Sequence, residues 1–221
     1  VSTQAGREQT LVVAVLLSSA GGALDAFAWI AHGHVFANAQ TGNIVLLGVS
    51  AATGDWVQAA RHLPPIGAFF LGVLAAHLLG RLDRRAALIS LCIEIALLGL
   101  VMVLPRGVPD LPIIVGVAFV AALQNASFDR VRGWTFNSVM TTGNLRRTAG
   151  ALFAGVLPQP GASMLDRAAS LREARSFAFI CAGFCVGSAL GGLATLRFDD
   201  AGLLFPIALL AAVLGWCLRP A

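Results

Sequence analysis

The chain has 221 residues, 57% of them hydrophobic and 12% charged, with a mean hydropathy of +0.82. Soluble domains carry about 25% charged residues, so the composition excludes an ordinary soluble domain and points to a polytopic membrane protein. Every basic residue is arginine, and the net charge of +4 comes from arginines set between apolar runs. No basic stripe interleaved with aromatics is present, which excludes a nucleic-acid partner.

In chain order, six stretches are long and apolar enough to cross about 30 Å of hydrocarbon, a distance that takes roughly 20 residues. They are 11–30, 63–82, 86–104, 111–128, 177–196 and 201–218. Arg7 followed by an apolar run resembles a signal peptide, but Asp25 belongs to the repeat described next, so the segment is expected to be retained as a span. Residues 105–112 form a proline-rich break, and 158–175 read as a polar surface loop with a short amphipathic helix. Two further stretches are shorter. Each begins with Thr-Gly-Asn (Thr41-Gly42-Asn43; Thr142-Gly143-Asn144) and continues as a brief helical run.

These two stretches belong to an internal repeat. Asp25 aligns with Asn125, Gly33 with Gly133 and Phe36 with Phe136; one inserted residue then brings Thr-Gly-Asn onto Thr-Gly-Asn. A match over about twenty residues at one spacing of roughly a hundred is a repeat rather than chance. The chain is therefore read as one membrane domain, 1–221, with homologous halves at 11–104 and 111–218.

Arginine placement chooses the topology. If both Thr-Gly-Asn stretches cross, seven arginines face six. If both are re-entrant, ten share a side and only Arg61, Arg106 and Arg197 oppose them, Arg146 and Arg147 being left out of both counts. The second pattern is the positive-inside one, with both termini cytoplasmic. The expected fold is all-α: two halves of three spans, each with a broken or re-entrant Thr-Gly-Asn helix. Halves with an odd number of crossings insert in opposite orientations, as an inverted-topology repeat.

Irregular backbone at membrane depth is tolerated where it is buried in protein or lines a cavity. Thr and Asn can cap the free amides of a half-helix, and those amides with the helix dipole favour electron-rich groups. The pair of motifs is either a site or a structural cap. The candidate ligand-binding residues are Asn38, Thr41, Gly42, Asn43, Thr142, Gly143 and Asn144, with Asp25 and Asn125 lining the same region. Asp25 and Glu94 are carboxylates within spans, where an ionised group is expensive unless paired or facing a cavity. Arg146, or Arg147 beside it, is the expected partner, of Asp25 first and Glu94 next. Asn43 and Asn144 are expected close together at the centre.

No metal site and no cofactor is expected. The four cysteines lie in apolar runs without a C-x-x-C and read as inert buried thiols. Trp29, Trp56, Trp134 and Trp216 read as interfacial anchors. Gly183, Gly187 and Gly191 make a small-residue face suited to helix packing and, in a glycine-rich span, to a homo-oligomer. Catalytic motifs are missing, so the chain is not read as an enzyme.

The stretches A-L-D-A-F…G-H-V-F-A-N-A-Q-T-G-N-I-V-L-L-G and A-L-Q-N-A-S-F…T-F-N-S-V-M-T-T-G-N-L resemble the YoaK-like family, small bacterial inner-membrane proteins classed by an unknown-function domain. The resemblance covers nearly the whole chain. It implies a multi-pass protein of the bacterial inner membrane and no particular substrate. The expected function is a transporter or channel-like protein for a small solute, with its site between the halves at the paired motifs. A structural or partner-binding membrane subunit is the alternative, and an intramembrane enzyme using Asp25 or Glu94 comes third.

Overall fold

The computed structural model describes residues 7–83, 85–105, 107–157 and 163–219; Arg84, Arg106 and the 158–162 part of the polar connection lie outside the described residues. Among the described residues the chain is almost wholly helical. Its helices are α1 (Leu11–Ala31), α2 (Gln40–Ala52), α3 (Trp56–Arg61), α4 (Leu63–Leu82), α5 (Ala86–Met102), α6 (Asp110–Ser127), α7 (Thr141–Val156), α8 (Met164–Phe198) and α9 (Leu204–Leu218). The all-α expectation is corrected only by a small antiparallel hairpin, β1 (Arg130–Val131) with β2 (Trp134–Thr135), between α6 and α7.

Four helical stretches are long and apolar enough to cross a membrane: Leu11–Ala31, Trp56–Leu82, Asp110–Ser127 and Met164–Leu218, the last holding both α8 and α9. Ala86–Met102 is a shorter apolar helix. The protein is an integral membrane protein by these helices.

Local chemistry sets the helix starts. The Thr10 side chain accepts from Val13 N at α1, and proline occupies the first turn of α4, where its missing N–H is no loss. At α8, Ser163 and Asp166 form a reciprocal capping box. That cap corrects the reading of 158–175 as a loop with a separate short helix. From Met164 the helix runs unbroken for 35 residues, about 52 Å at 1.5 Å per residue, so its arginine-bearing first turns extend well beyond the roughly 30 Å of hydrocarbon.

Polar contacts define the two ends of the bundle. At one end His32 Nδ1 lies 2.9 Å from Asp110 Oδ1, and His32 Nε2 lies 3.6 Å from Asp200 Oδ1. This joins the end of α1, the start of α6 and the end of α8. At the other end the Arg132 N–H donates to the Gln9 carbonyl at 2.7 Å, and its guanidinium donates to the Ser176 hydroxyl at 3.0 Å. So α1 and α6 run in opposite directions through the bundle.

The short helices do not traverse it. After α1 the chain turns through Gly33 (φ 80°) and His34 (φ 57°). The left-handed conformation at Gly33, matched by Gly133 (φ 85°), suits a residue without Cβ. Phe36 then stacks on Trp29 at 4.9 Å, and the Asn38 side chain donates to the Gly21 carbonyl at 3.2 Å. Gly21 is ten residues back from the end of α1, about 15 Å down the helix. α2 starts there, and by α3 the chain is at the first end again, where Gln58 Nε2 donates to the Gly33 carbonyl at 3.1 Å. α7 behaves likewise at the opposite end. Its first residue, Thr141, lies by Cys181 in the middle of α8, and its last turn meets Leu171 and Arg167 near the start of α8.

α1 packs chiefly on α8 and then on α9; α6 packs chiefly on α4 and then on α5. An apolar cluster including Leu17, Leu24, Leu91, Val117 and Leu210 fills the space among α1, α5, α6 and α9. The α1–α8 seam is built from glycine. A Cβ at Gly187 would collide with the Ser19 backbone, and one at Gly191 would meet Ala23 Cα at 2.5 Å. Gly183, Gly187 and Gly191 thus pack inside the chain, against α1. The cysteines are corrected as well: Cys92 and Cys185 are exposed on outer helix faces rather than buried.

Candidate functional site

Three cavities that share lining residues in series lie around the two Thr-Gly-Asn helices. The first, about 390 Å³, is lined by Asp25, Trp29 and Phe36, by Thr141, and by Phe184 and Ser188 of α8. The second, about 220 Å³, lies between the two motif starts, with Asn38, Gln40 and Thr41 on one wall and Val139, Met140 and Thr142 on the other. The third, about 560 Å³, is lined by Phe69 and His77 of α4, with Asn125, Asp129, Asn144 and Arg147. The first two share Ala39, Val139 and Thr141; the last two share Phe69 and Met140.

The outer two cavities use matching positions. Asp25, Trp29 and Phe36 of the first stand where Asn125, Asp129 and Phe136 stand in the third, 100 residues on; Phe184, Ser188 and Gly192 of α8 answer Phe69, Val73 and His77 of α4, 115 residues back. The chemistry differs. The first cavity pairs one carboxylate with three aromatic rings. In the third, Asn125 is neutral and accepts from the Ser138 hydroxyl at 2.9 Å.

The motif asparagines are tethers. Asn43 Oδ1 accepts the Phe36 N–H at 2.9 Å, and its Nδ2 donates to the Phe36 carbonyl and to Gln40 Oε1, both at 2.8 Å. His62 Nδ1 lies 3.4 Å from the same oxygen. Asn144 Nδ2 donates to the Asn137 carbonyl, also seven residues upstream, at 2.7 Å. Each asparagine therefore pins its half-helix to the loop that precedes it. This corrects the expectation of Thr and Asn as caps, since neither α2 nor α7 has a side-chain cap at its first turn. Gly42 sits within helix α2 with the Phe36 ring so close that a Cβ would meet it at 2.9 Å, whereas Gly143 has open space.

Thr41, Asn38 and Thr142 thus line the middle cavity, Asp25 the first, and Asn125, Gly143 and Asn144 the third. Asn43 lines none of the three, while Thr41 and Thr142 both line the middle cavity.

The expected ion pair is corrected too. Arg147 binds Glu173 on α8, donates to the Thr135 carbonyl at 2.9 Å and lies over the Phe177 ring at 4.9 Å. Arg146 is exposed. Among the described residues Asp25 has no cationic partner: Oδ1 accepts the Asn38 N–H at 2.7 Å, and Oδ2 is buried without a hydrogen bond. Glu94 is also buried, but on the α5 stripe of Leu91 and Leu98 that faces the apolar cluster, and it lines none of the three cavities.

A family model matches residues 13–216. The chain belongs to DUF1275, a family of proteins of unknown function. No curated protein and no solved structure matches it.

This DUF1275 protein uses residues that the sequence alone did not single out. Trp29 lines the first cavity, and Phe184 and Ser188 complete its wall. Trp29 lies four residues after Asp25, one turn along the same face of α1, so the repeat and helical spacing together carried that signal. The α8 residues carried none, because their alignment with α4 emerges only when the cavities are compared. No group of three or more His, Cys, Asp or Glu able to hold a metal occurs among the described residues.

Proposed function

We propose that this DUF1275 protein moves a small solute across the bacterial inner membrane, along a path through the three cavities and between the two Thr-Gly-Asn helices. The observation that carries the reading is the shared walls. Each cavity adjoins the next, and the middle one lies between half-helices that enter the bundle from opposite ends. Transporters place their sites where discontinuous helices of two repeats meet near the midplane. The reading is transport rather than catalysis. Ser188 donates to its own helix at Phe184, and among the described wall residues none joins a nucleophile to a base.

The same reading takes the halves as an inverted-topology repeat with six crossings, α1, α4, α5, α6, α8 and α9. The exchange of partners supports it: α1 on α8 and α9 answers α6 on α4 and α5. The positive-inside rule supports it as well. Arg130, Arg132 and the arginines at the start of α8 gather at the end that holds Gln9, while Arg61 and Arg197 lie at the other. Both termini are then cytoplasmic.

Flux from proteoliposomes tests the reading. Reconstituted protein should accelerate efflux of at least one solute from a set of small ammonium, neutral and carboxylate compounds. Thr41→Trp and Thr142→Trp, which fill the middle cavity, should abolish that efflux. Efflux equal to that of protein-free vesicles, or unchanged by both substitutions, contradicts the proposal.

A further inference from the structure

Asp25, which lines the first cavity, holds a buried carboxyl oxygen that has no hydrogen-bond partner. Asp25 is 5% exposed and lies on a helix long and apolar enough to span a membrane. Its Oδ1 receives the Asn38 N–H, which fixes the segment ahead of α2, while Oδ2 has no partner and the side chain lines a cavity of about 390 Å³. Holding the re-entrant segment does not need a charge. At the equivalent place in the other half a neutral side chain, Asn125, receives the Ser138 hydroxyl from the corresponding loop. A carboxylate at membrane depth is expensive and is kept where it is paired or faces a cavity. No arginine or histidine of the described residues lines this cavity. The wall carries three aromatic rings, Trp29 and Phe36, stacked on each other, and Phe184, among small and aliphatic residues and the hydroxyls of Thr141 and Ser188.

A carboxylate with a free oxygen among aromatic rings recognises one chemical class well. An organic cation can place its N–H groups on the carboxylate and its charge over ring faces, and the apolar remainder of the wall suits a short alkyl body. The volume lies within the range of small-molecule sites. An anion would meet the carboxylate with like charge, and a neutral donor could hydrogen-bond to Oδ2 but would bring no charge to balance the carboxylate or to lie over the rings.

We infer that the Asp25 cavity is a binding site for a small organic cation, a primary alkylammonium or a compound carrying one, held by the Asp25 carboxylate and the Trp29, Phe36 and Phe184 rings. The inference rests on the transport reading and names its substrate class. It also separates the two outer cavities: Asp25 is the one charged side chain among the described residues lining the first, whereas Asp129 and Arg147, of opposite charge, both line the third.

The test is titration calorimetry on the purified full chain in detergent, with Trp29 contributing a fluorescence readout. The probes are propylammonium, propanol and propionate, which share a body and differ in charge. Propylammonium should bind saturably with one site per chain, and propanol and propionate should bind at least tenfold more weakly. Asp25→Asn should weaken propylammonium at least tenfold; it is expected to fold, because asparagine serves at position 125. Phe184→Leu keeps the bulk, removes one ring and leaves the Asp25 hydrogen bond alone. It should weaken propylammonium about twofold to fivefold without affecting propanol. Equal binding of all three probes by the unmodified protein, or undiminished binding in both variants, overturns the inference. Binding of propylammonium without any flux in vesicles sinks the transport reading and leaves the cation site standing. Flux of neutral solutes that ignores Asp25→Asn does the reverse.

Discussion

Gly187→Ala should separate α1 from α8 and destabilise the protein. A Cβ built on Gly187 comes 2.5 Å from Ser19 Cα and 2.6 Å from its carbonyl carbon, and closer still to the carbonyl oxygen. Carbon atoms attract at about 3.5–4.0 Å, so the helices must part by roughly 1 Å. The obstacle is backbone, which cannot rotate away as a side chain could. A radial gap of 0.5–1 Å forfeits a quarter to a half of each dispersion contact. The seam is long, since Gly183, Gly187 and Gly191 all abut α1, so the loss extends along it. Overpacking of this kind costs about 1–3 kcal/mol. Gly67→Ala is the matched control. Gly67 is on α4 with nothing within 4 Å of a built Cβ, and alanine in a helix interior should stabilise by about 0.5–1 kcal/mol. Thermal unfolding in one detergent, followed by circular dichroism, compares them. Gly187→Ala should melt well below the unmodified protein and Gly67→Ala at or above it. Equal midpoints for the two variants would refute the close parallel seam.

Asn43→Ala should cost about 2–4 kcal/mol, because it strands the Phe36 N–H and carbonyl together, each worth about 1–3 kcal/mol when left buried without a partner; a melting point within error of the unmodified protein counts against the tether. Arg147→Ala should cost less, about 1 kcal/mol, since Arg147 and Glu173 are 36% and 21% exposed and solvent screens the pair. A double-mutant cycle with Glu173→Ala should give a coupling of similar size, and a coupling of zero would mean that the pair contributes nothing. The Ser163 side chain and backbone hold the Asp166 carboxyl below the usual carboxylate range. A depressed folded-state value adds stability above the unfolded value and loses it as pH falls through the folded one. Protection of the first-turn amides of α8, taken relative to the intrinsic exchange rate at each pH, should therefore fall on acidification, and Asp166→Asn should remove that dependence.

Much of the fold was legible because the bilayer imposes lengths and sides. The six apolar stretches read from the sequence correspond to α1, α4, α5, α6, α8 and α9. The Thr-Gly-Asn stretches stood out through polarity and repetition, and both begin inside the bundle. The start of α8 was misread because its charged turns look like a loop by composition, while the Ser163–Asp166 capping box, a local signal, lets the helix continue through them. The site was legible in part. Asp25, Thr41 and Thr142 were singled out and do line cavities. The arginine pairing failed for a physical reason: Arg147 reaches Glu173 across the α7–α8 seam, a partner whose closeness depends on the unforeseen length of α8. Asn43 and Asn144 make the same internal tether, each to the carbonyl seven residues upstream.

Two-sided labelling at position 142 tests the continuous path most directly. In a background with all four native cysteines replaced by alanine, Thr142→Cys is reconstituted in one orientation and exposed to a small membrane-impermeant thiol reagent, first from outside the vesicles and then, in a second sample, from within. Thr142 borders the middle cavity, so a path that joins the three cavities predicts modification from both sides, blocked by Thr41→Trp on the facing wall. Modification from neither side, or from one side alone regardless of Thr41→Trp, would contradict the path on which the functional account rests.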